Sequence, residues 1–135
     1  MGPERAGTAI IGGSGLYSLL ESASFTILDT PYGKTPRIEN GYVRGRKVAF
    51  LPRHGEPGSS EVKHAIPPSF INYRANIYAL RMMGVTRILA TQAVGSINPT
   101  IAPGTFVVVD QFIDQTRLRP TTFFDGRAEV AVDDE

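Results

Sequence analysis

Thr8-Ala9-Ile10-Ile11-Gly12-Gly13-Ser14-Gly15 is the stretch on which the reading of this chain turns. A short apolar run stops abruptly at three glycines and a serine. The run suits a buried strand, and the glycines suit a tight turn directly after it. That turn offers backbone N–H groups with no Cβ in the way, plus a hydroxyl. Successive N–H groups of this kind form a concavity that holds an anion. It is not a dinucleotide fingerprint, because the third glycine would fall at position 18, which is Ser18. No Gly-Lys-Ser/Thr follows, so it is not a P-loop, and the Gly-x-Ser-x-Gly elbow of serine hydrolases is absent.

Working outward, the same pattern of apolar run and polar or small-residue loop recurs. Residues 47–51 read as a strand that ends at Pro52 and opens into Arg53-His54-Gly55. Residues 87–91 read as another, ending near Ala93-Val94-Gly95-Ser96. Residues 37–43 pair with 47–51 as a hairpin around Arg44-Gly45-Arg46. Residues 25–28 form a further strand before the turn Asp29-Thr30-Pro31-Tyr32-Gly33, and residues 16–21 a short helix. Residues 105–110, apolar from 106 to 109, read as a central strand buried on both faces. Ser69 is placed to cap a helix running to Met83, with Gly84 at its stop. Phe70, Tyr73, Ile77 and Leu80 would form its apolar face, with Arg74 and Arg81 opposite. The long loop over 53–68 holds three prolines, two glycines and two serines, and ordered loops of that length are often functional. The order of elements predicts an α/β domain with a mixed central sheet and flanking helices. Ligands of open α/β sheets bind beyond the carboxyl ends of the strands, so three loops meeting there would make one site.

Composition narrows the chemistry. The chain has 135 residues, about one domain, with 41% hydrophobic residues, 20% charged residues and a net charge of +1. A nucleic-acid binder usually shows a strong basic excess, and none exists here. There is no cysteine, which excludes disulfides, thiolate zinc sites and cysteine nucleophiles. Apolar runs of four or five residues are too short to span a membrane. Met-Gly-Pro-Glu-Arg begins no hydrophobic signal, so a cytoplasmic protein is expected. Charge is uneven: residues 1–119 carry 13 basic and 8 acidic side chains, whereas 120–135 carry 1 and 5.

Arg53 brings a planar fork of donors suited to phosphate oxygens, and His54 beside it is a further donor. His64 lies in the same loop, but two histidines without cysteine do not suggest zinc. Asp110 and Asp114 could be the paired carboxylates of a glycosidase or of a metal site, yet helix capping or ion pairing with Arg117 and Arg119 is the preferred reading.

The pieces then join. Ile10-Ile11-Gly12-Gly13-Ser14-Gly15-Leu16-Tyr17, Asp29-Thr30-Pro31-Tyr32-Gly33 and Leu51-Pro52-Arg53-His54-Gly55 are followed by His64-Ala65-Ile66-Pro67-Pro68 and Ile71-Asn72-Tyr73-Arg74-Ala75-Asn76-Ile77. Ala93-Val94-Gly95-Ser96, Asp110-Gln111-Phe112-Ile113-Asp114 and Phe123-Phe124-Asp125-Gly126 complete the series. In this order, from about residue 8 to 126, the chain resembles the trimeric 5′-methylthioadenosine phosphorylase and purine nucleoside phosphorylase family.

The resemblance implies the twisted mixed sheet of a nucleoside phosphorylase. It implies phosphorolysis: phosphate attacks C1′ of a purine nucleoside and releases free purine and a ribose 1-phosphate. It assigns phosphate to Ser14, Arg53, His54 and Ala93, and the ribose to Gln92, Ala93 and His64. It calls for no metal and no cofactor beyond inorganic phosphate as co-substrate, and for a homo-oligomer, trimeric in the family, with neither nucleic acid nor membrane as partner. Positioning and preorganised charge would supply most of the catalysis. Two features depart from the pattern. Glu56 to Lys63 is longer and less basic than the family's link, which could displace His64, and Gln92 stands where Thr or Ser is expected.

Family chains are also about twice as long. On that basis residues 1–126 correspond to the N-terminal part of one phosphorylase domain, and 127–135 form a divergent acidic stretch. Base-recognition residues are expected outside the chain, leaving the catalytic set undefined. The expectations are therefore an enzyme most like the methylthioadenosine type, an inactive phosphate-binding remnant, or half of a split enzyme. A remnant that docks on a longer relative is a weaker alternative. The chain alone is expected to show no phosphorolysis, and exposed strand edges are expected to drive association with other chains.

Overall fold

The computed structural model describes residues 6–61 and 63–126, and for Ser14, Ser22 and Ala23 the backbone alone. The acidic stretch at 127–135 lies outside the described residues.

Strands β1 (Thr8–Gly12), β2 (Glu21–Thr26), β5 (Ile38–Val43), β6 (Arg46–Pro52) and β7 (Arg87–Ala90) form one sheet. Its order is β2-β5-β6-β1-β7. A small ribbon pairs β3 (Asp29–Thr30) with β4 (Gly33–Lys34), and α1 spans Tyr73–Met82. The sheet is mixed, as the sequence predicts: β1 lies parallel to β6 and β7, while β5 runs antiparallel to β6 and β2 antiparallel to β5. The predicted hairpin is β5–β6. Arg44 and Gly45, at φ 48° and 75°, make its two-residue turn, whose positive φ values match the twist of the strands.

Register explains the core. Ala9 stands opposite Ala49 and Ile11 opposite Leu51, so these four share one face of the sheet. Ala79, Leu80 and Val85 join Ala6, Ala9, Ile38, Ala49 and Leu51 in the buried cluster, which places α1 on that face. Phe50 points to the other face, where it meets the Tyr17 ring edge-on at 6.2 Å. β6 is therefore covered on both sides, as its unbroken apolar run suggests.

Three expectations fail. The helix does not start at Ser69. Pro68–Phe70 is a separate 3₁₀ turn, and Asn72 caps α1 by accepting from Ala75 N at 3.1 Å. Asn72 Nδ2 also donates to Tyr32 O at 2.6 Å, tying the helix start to the β3–β4 ribbon. This shift turns the buried stripe to Ala75, Asn76, Ala79 and Leu80, leaving Phe70, Tyr73 and Ile77 exposed. Small side chains let the helix approach the sheet closely.

Residues 16–21 form no α-helix. Ser14–Leu16 makes one 3₁₀ turn, closed by Leu16 N donating to Gly13 O at 3.2 Å, and the chain enters β2 at Glu21. Six residues cannot recover the cost of nucleating a helix, whereas β2 gains a ladder with β5.

Residues 105–110 form no strand, and Phe106 and Val108 are 100% and 97% exposed. Among the described residues no segment pairs with this run. An extended chain becomes a strand only when a neighbour takes its N–H and C=O groups.

Candidate functional site

The carboxyl ends of β6, β1 and β7 lie side by side, and the loops leave from there. The ladders continue past the strands: Arg53 N donates to Gly12 O at 3.1 Å, and Thr91 N donates to Ile11 O at 2.9 Å. Arg53, the 12–15 turn and Thr91 are thus fixed to one another by the sheet itself. Arg53 then reaches across β1. Its Nη1 donates to Thr91 O at 2.5 Å and its Nε to His54 Nε2 at 3.2 Å. The guanidinium lies over Gly13, where an added Cβ would sit 3.3 Å from Nη2. Glycine at 13 therefore leaves the arginine fork free to lie beside the backbone of the turn.

His54 is buried and uses both ring nitrogens. Nδ1 donates to Ile66 O at 2.8 Å, since a carbonyl only accepts. Nε2 accepts from Arg53 Nε, since that nitrogen only donates. The pair of contacts defines the neutral tautomer with its proton on Nδ1. His54 thus orients Arg53. His64, despite the long link before it, stacks on His54 with ring centroids 4.2 Å apart and planes 15° apart. Ala65 N and Ile66 N both donate to His54 O, at 2.8 and 2.9 Å, so the 55–64 loop is closed at its base. Farther out, Gly58 N donates to Thr35 O at 2.9 Å and Arg37 Nη1 to Ser60 O at 2.9 Å. Lys63 pairs with Glu61 and Glu56 at 2.8 and 3.8 Å, which neutralises much of the charge of the link.

Of the residues singled out in sequence, Arg53, His54 and His64 come together beside the glycine turn. Ser14 opens the 3₁₀ turn of that loop, and its side chain lies outside the described residues. Gln92 and Ala93 follow Thr91 directly and are exposed at the same edge of the sheet. Asp110 and Asp114 lie in the exposed tract. Asp114 accepts from Thr116 N at 2.9 Å in a local turn, not in a helix cap, and this bond holds its carboxyl below the usual range. Neither belongs to the cluster around Arg53.

Two participants had no place in the sequence reading. The carbonyls of Thr91 and Ile66 hold Arg53 and His54, but every residue has a carbonyl, so sequence carries no signal for them. Tyr17 places its hydroxyl in the interior without a partner among the described residues, and burial raises its pKa against the opposing pull of Arg53. Tyr17 closes the first motif that the chain shares with the family, and the resemblance assigns it no role.

A planar cationic fork held against a glycine turn at the strand ends has the donor chemistry that suits an oxyanion. Residues 8–134 match the Phosphorylase superfamily, and the chain belongs to that family. It is 50% identical over 123 residues to a probable 6-oxopurine nucleoside phosphorylase of Korarchaeum cryptofilum, covering 91% of this chain and 43% of that protein. It is 48% identical over 126 residues to the S-methyl-5′-thioadenosine phosphorylase of Thermofilum pendens, covering 91% and 46%. The methylthioadenosine phosphorylase of Schistosoma mansoni, solved with adenine, superposes with a TM-score of 0.76 at 42% identity, covering 88% of this chain and 42% of that one. The chain thus spans less than half the length of the relatives it matches. Among the described residues no helix is long and apolar enough to cross a membrane.

Proposed function

We propose that these residues form the phosphate end of a purine nucleoside phosphorylase site, most like that of the S-methyl-5′-thioadenosine phosphorylases. The observation that carries it is the Arg53 guanidinium, fixed over Gly13 by His54 and the Thr91 carbonyl. In this reading the glycine turn with Ser14, Arg53 and Ala93 surrounds inorganic phosphate, His54 holds Arg53 against the anion instead of donating to it as the sequence suggests, and Gln92, Ala93 and His64 border the pentose. Phosphate held there attacks C1′ of the nucleoside. The new C–O bond forms as the glycosidic C–N bond breaks, and the purine leaves with the bonding pair. The sugar carbon passes through oxocarbenium character, which the adjacent anion stabilises. No metal or cofactor beyond phosphate is needed for that step.

The relatives support a shared phosphate and sugar function. Similarity near 50% extends equally to proteins named for 6-oxopurine nucleosides and for methylthioadenosine. Residues common to both groups suit the parts of the substrate common to both. Purine salvage in the cytoplasm by a homotrimer is the setting we infer, and the apolar tract over 106–113 would supply contact area between copies. Phosphate titration by calorimetry tests the reading: binding is expected for the chain and weakened about 10- to 100-fold in Arg53→Ala. Equal affinity in the two proteins would refute it. Phosphate-dependent release of adenine from methylthioadenosine by the whole protein tests the reaction.

A further inference from the structure

We propose that His64 is a positioning residue for the anion-binding arginine and acts on it through His54. This rests on Arg53 being the phosphate ligand, and it is distinct from any contact of His64 with a sugar. Arg53 Nε–H requires a lone pair on His54 Nε2, at 3.2 Å. A neutral imidazole offers that lone pair only while its proton sits on Nδ1. The Ile66 carbonyl, 2.8 Å from Nδ1, selects this tautomer.

One in-plane hydrogen bond at each nitrogen leaves the tilt of the ring to its neighbours. His64 supplies that restraint, stacked face to face at 4.2 Å with its plane within 15°. His54 is 7% exposed, while His64 stands exposed on its outer side, so His64 acts as the cover and His54 as the covered group. The backbone supports the same arrangement, because residues 65 and 66 both donate to the His54 carbonyl and so return the chain beside the ring. The charged groups of the link are engaged with one another: Lys63 is paired with Glu61 and Glu56. That leaves the imidazole stack, and not a new cation, as what the long 56–63 link delivers to Arg53. The relay runs from the His64 ring to the His54 ring, then to Arg53 Nε and the anion.

Imidazole ¹⁵N shifts and inorganic phosphate titrations test it together. The native chain should show His54 protonated at Nδ1 and bare at Nε2. His64→Ala should mix the His54 tautomers and weaken phosphate binding about three- to tenfold, the range an aromatic stack supplies. His64→Phe, which keeps a flat ring, should restore both. A purely structural loop residue would not move the tautomer, and a sugar ligand would not change the affinity for phosphate alone. A native His54 protonated at Nε2 overturns the relay, as does His64→Ala with native tautomer and native affinity. If Arg53→Ala binds phosphate as tightly as the native chain, the anion site and the relay both fall. That failure is recognisable because His64→Ala would then alter the tautomer without altering the affinity.

Discussion

β6 and the run at 106–109 are similarly apolar in sequence and opposite in structure. Phe50 and Leu51 are 1% and 0% exposed, whereas Phe106 and Val109 are 100% and 74% exposed. β6 has β5 on one side and β1 on the other, with α1 over one face and the 13–17 turn over the other. The later run has no strand beside it among the described residues. Its tract is fastened mainly near its far end, where Arg74 bonds Asp125 at 2.5 Å and the Tyr32 hydroxyl donates to Phe123 O at 3.0 Å. Apolar residues nominate a strand, but only a partner makes one.

The sharpest break of this contrast is a pair of deletions. Leu80→Ala should cost about 2–5 kcal/mol in urea unfolding, because it empties a site under the sheet. Val108→Ala should stay within about 0.5 kcal/mol. Similar losses at both positions would mean that the tract is packed as tightly as the sheet.

Within the ordered region, Arg53→Ala should weaken phosphate binding about 10- to 100-fold, as loss of charge-assisted hydrogen bonds does, with little change in unfolding. A large drop in melting temperature would instead assign Arg53 to stability. Gly12→Ala should cost about 1–3 kcal/mol, since its Cβ would meet Phe50 Cε2 at 2.8 Å and Leu16 Cδ1 at 3.0 Å.

Arg74→Ala tests the far fastening. The pair is about one-fifth exposed, so the cost should be about 1–2 kcal/mol. Its signature is faster proteolysis within residues 116–126 while the sheet stays resistant. Unchanged cleavage would show that Tyr32 and Phe123 hold the segment without the ion pair.

The smallest effect belongs to Tyr17. Burial raises its pKa in the fold, so the neutral hydroxyl is favoured there and its contribution is intact below the ordinary tyrosine value of about 10. It is lost as pH climbs through the folded value. Tyr17→Phe should be neutral or slightly stabilising near pH 7, because it removes an unpartnered buried hydroxyl, and should soften the alkaline loss. Identical alkaline unfolding of the two proteins would place that hydroxyl in contact with water.

Most of the sheet and the heart of the site were legible in sequence because both are local. Short apolar runs and the small-residue or polar loops that end them marked β1, the β5–β6 hairpin and β7, and the Gly12-Gly13 and Arg53-His54 pairs stand at strand ends whatever surrounds them. The start of α1 was misread because Ser69 and Asn72 are both good caps, and only the bond from Asn72 to Tyr32 O decides between them.

By itself the sequence determined a mixed α/β sheet, a glycine turn able to hold an anion, and the arginine and histidines beside it. Tertiary structure alone decided that Arg53 crosses β1 to the Thr91 carbonyl, that His54 spends both nitrogens on the protein, that His64 covers it, and that 106–109 has no strand beside it among the described residues. The reason is physical. Turn and strand preferences are written in neighbouring residues, whereas the partner of a hydrogen bond or a ring face is supplied by a segment distant in the chain.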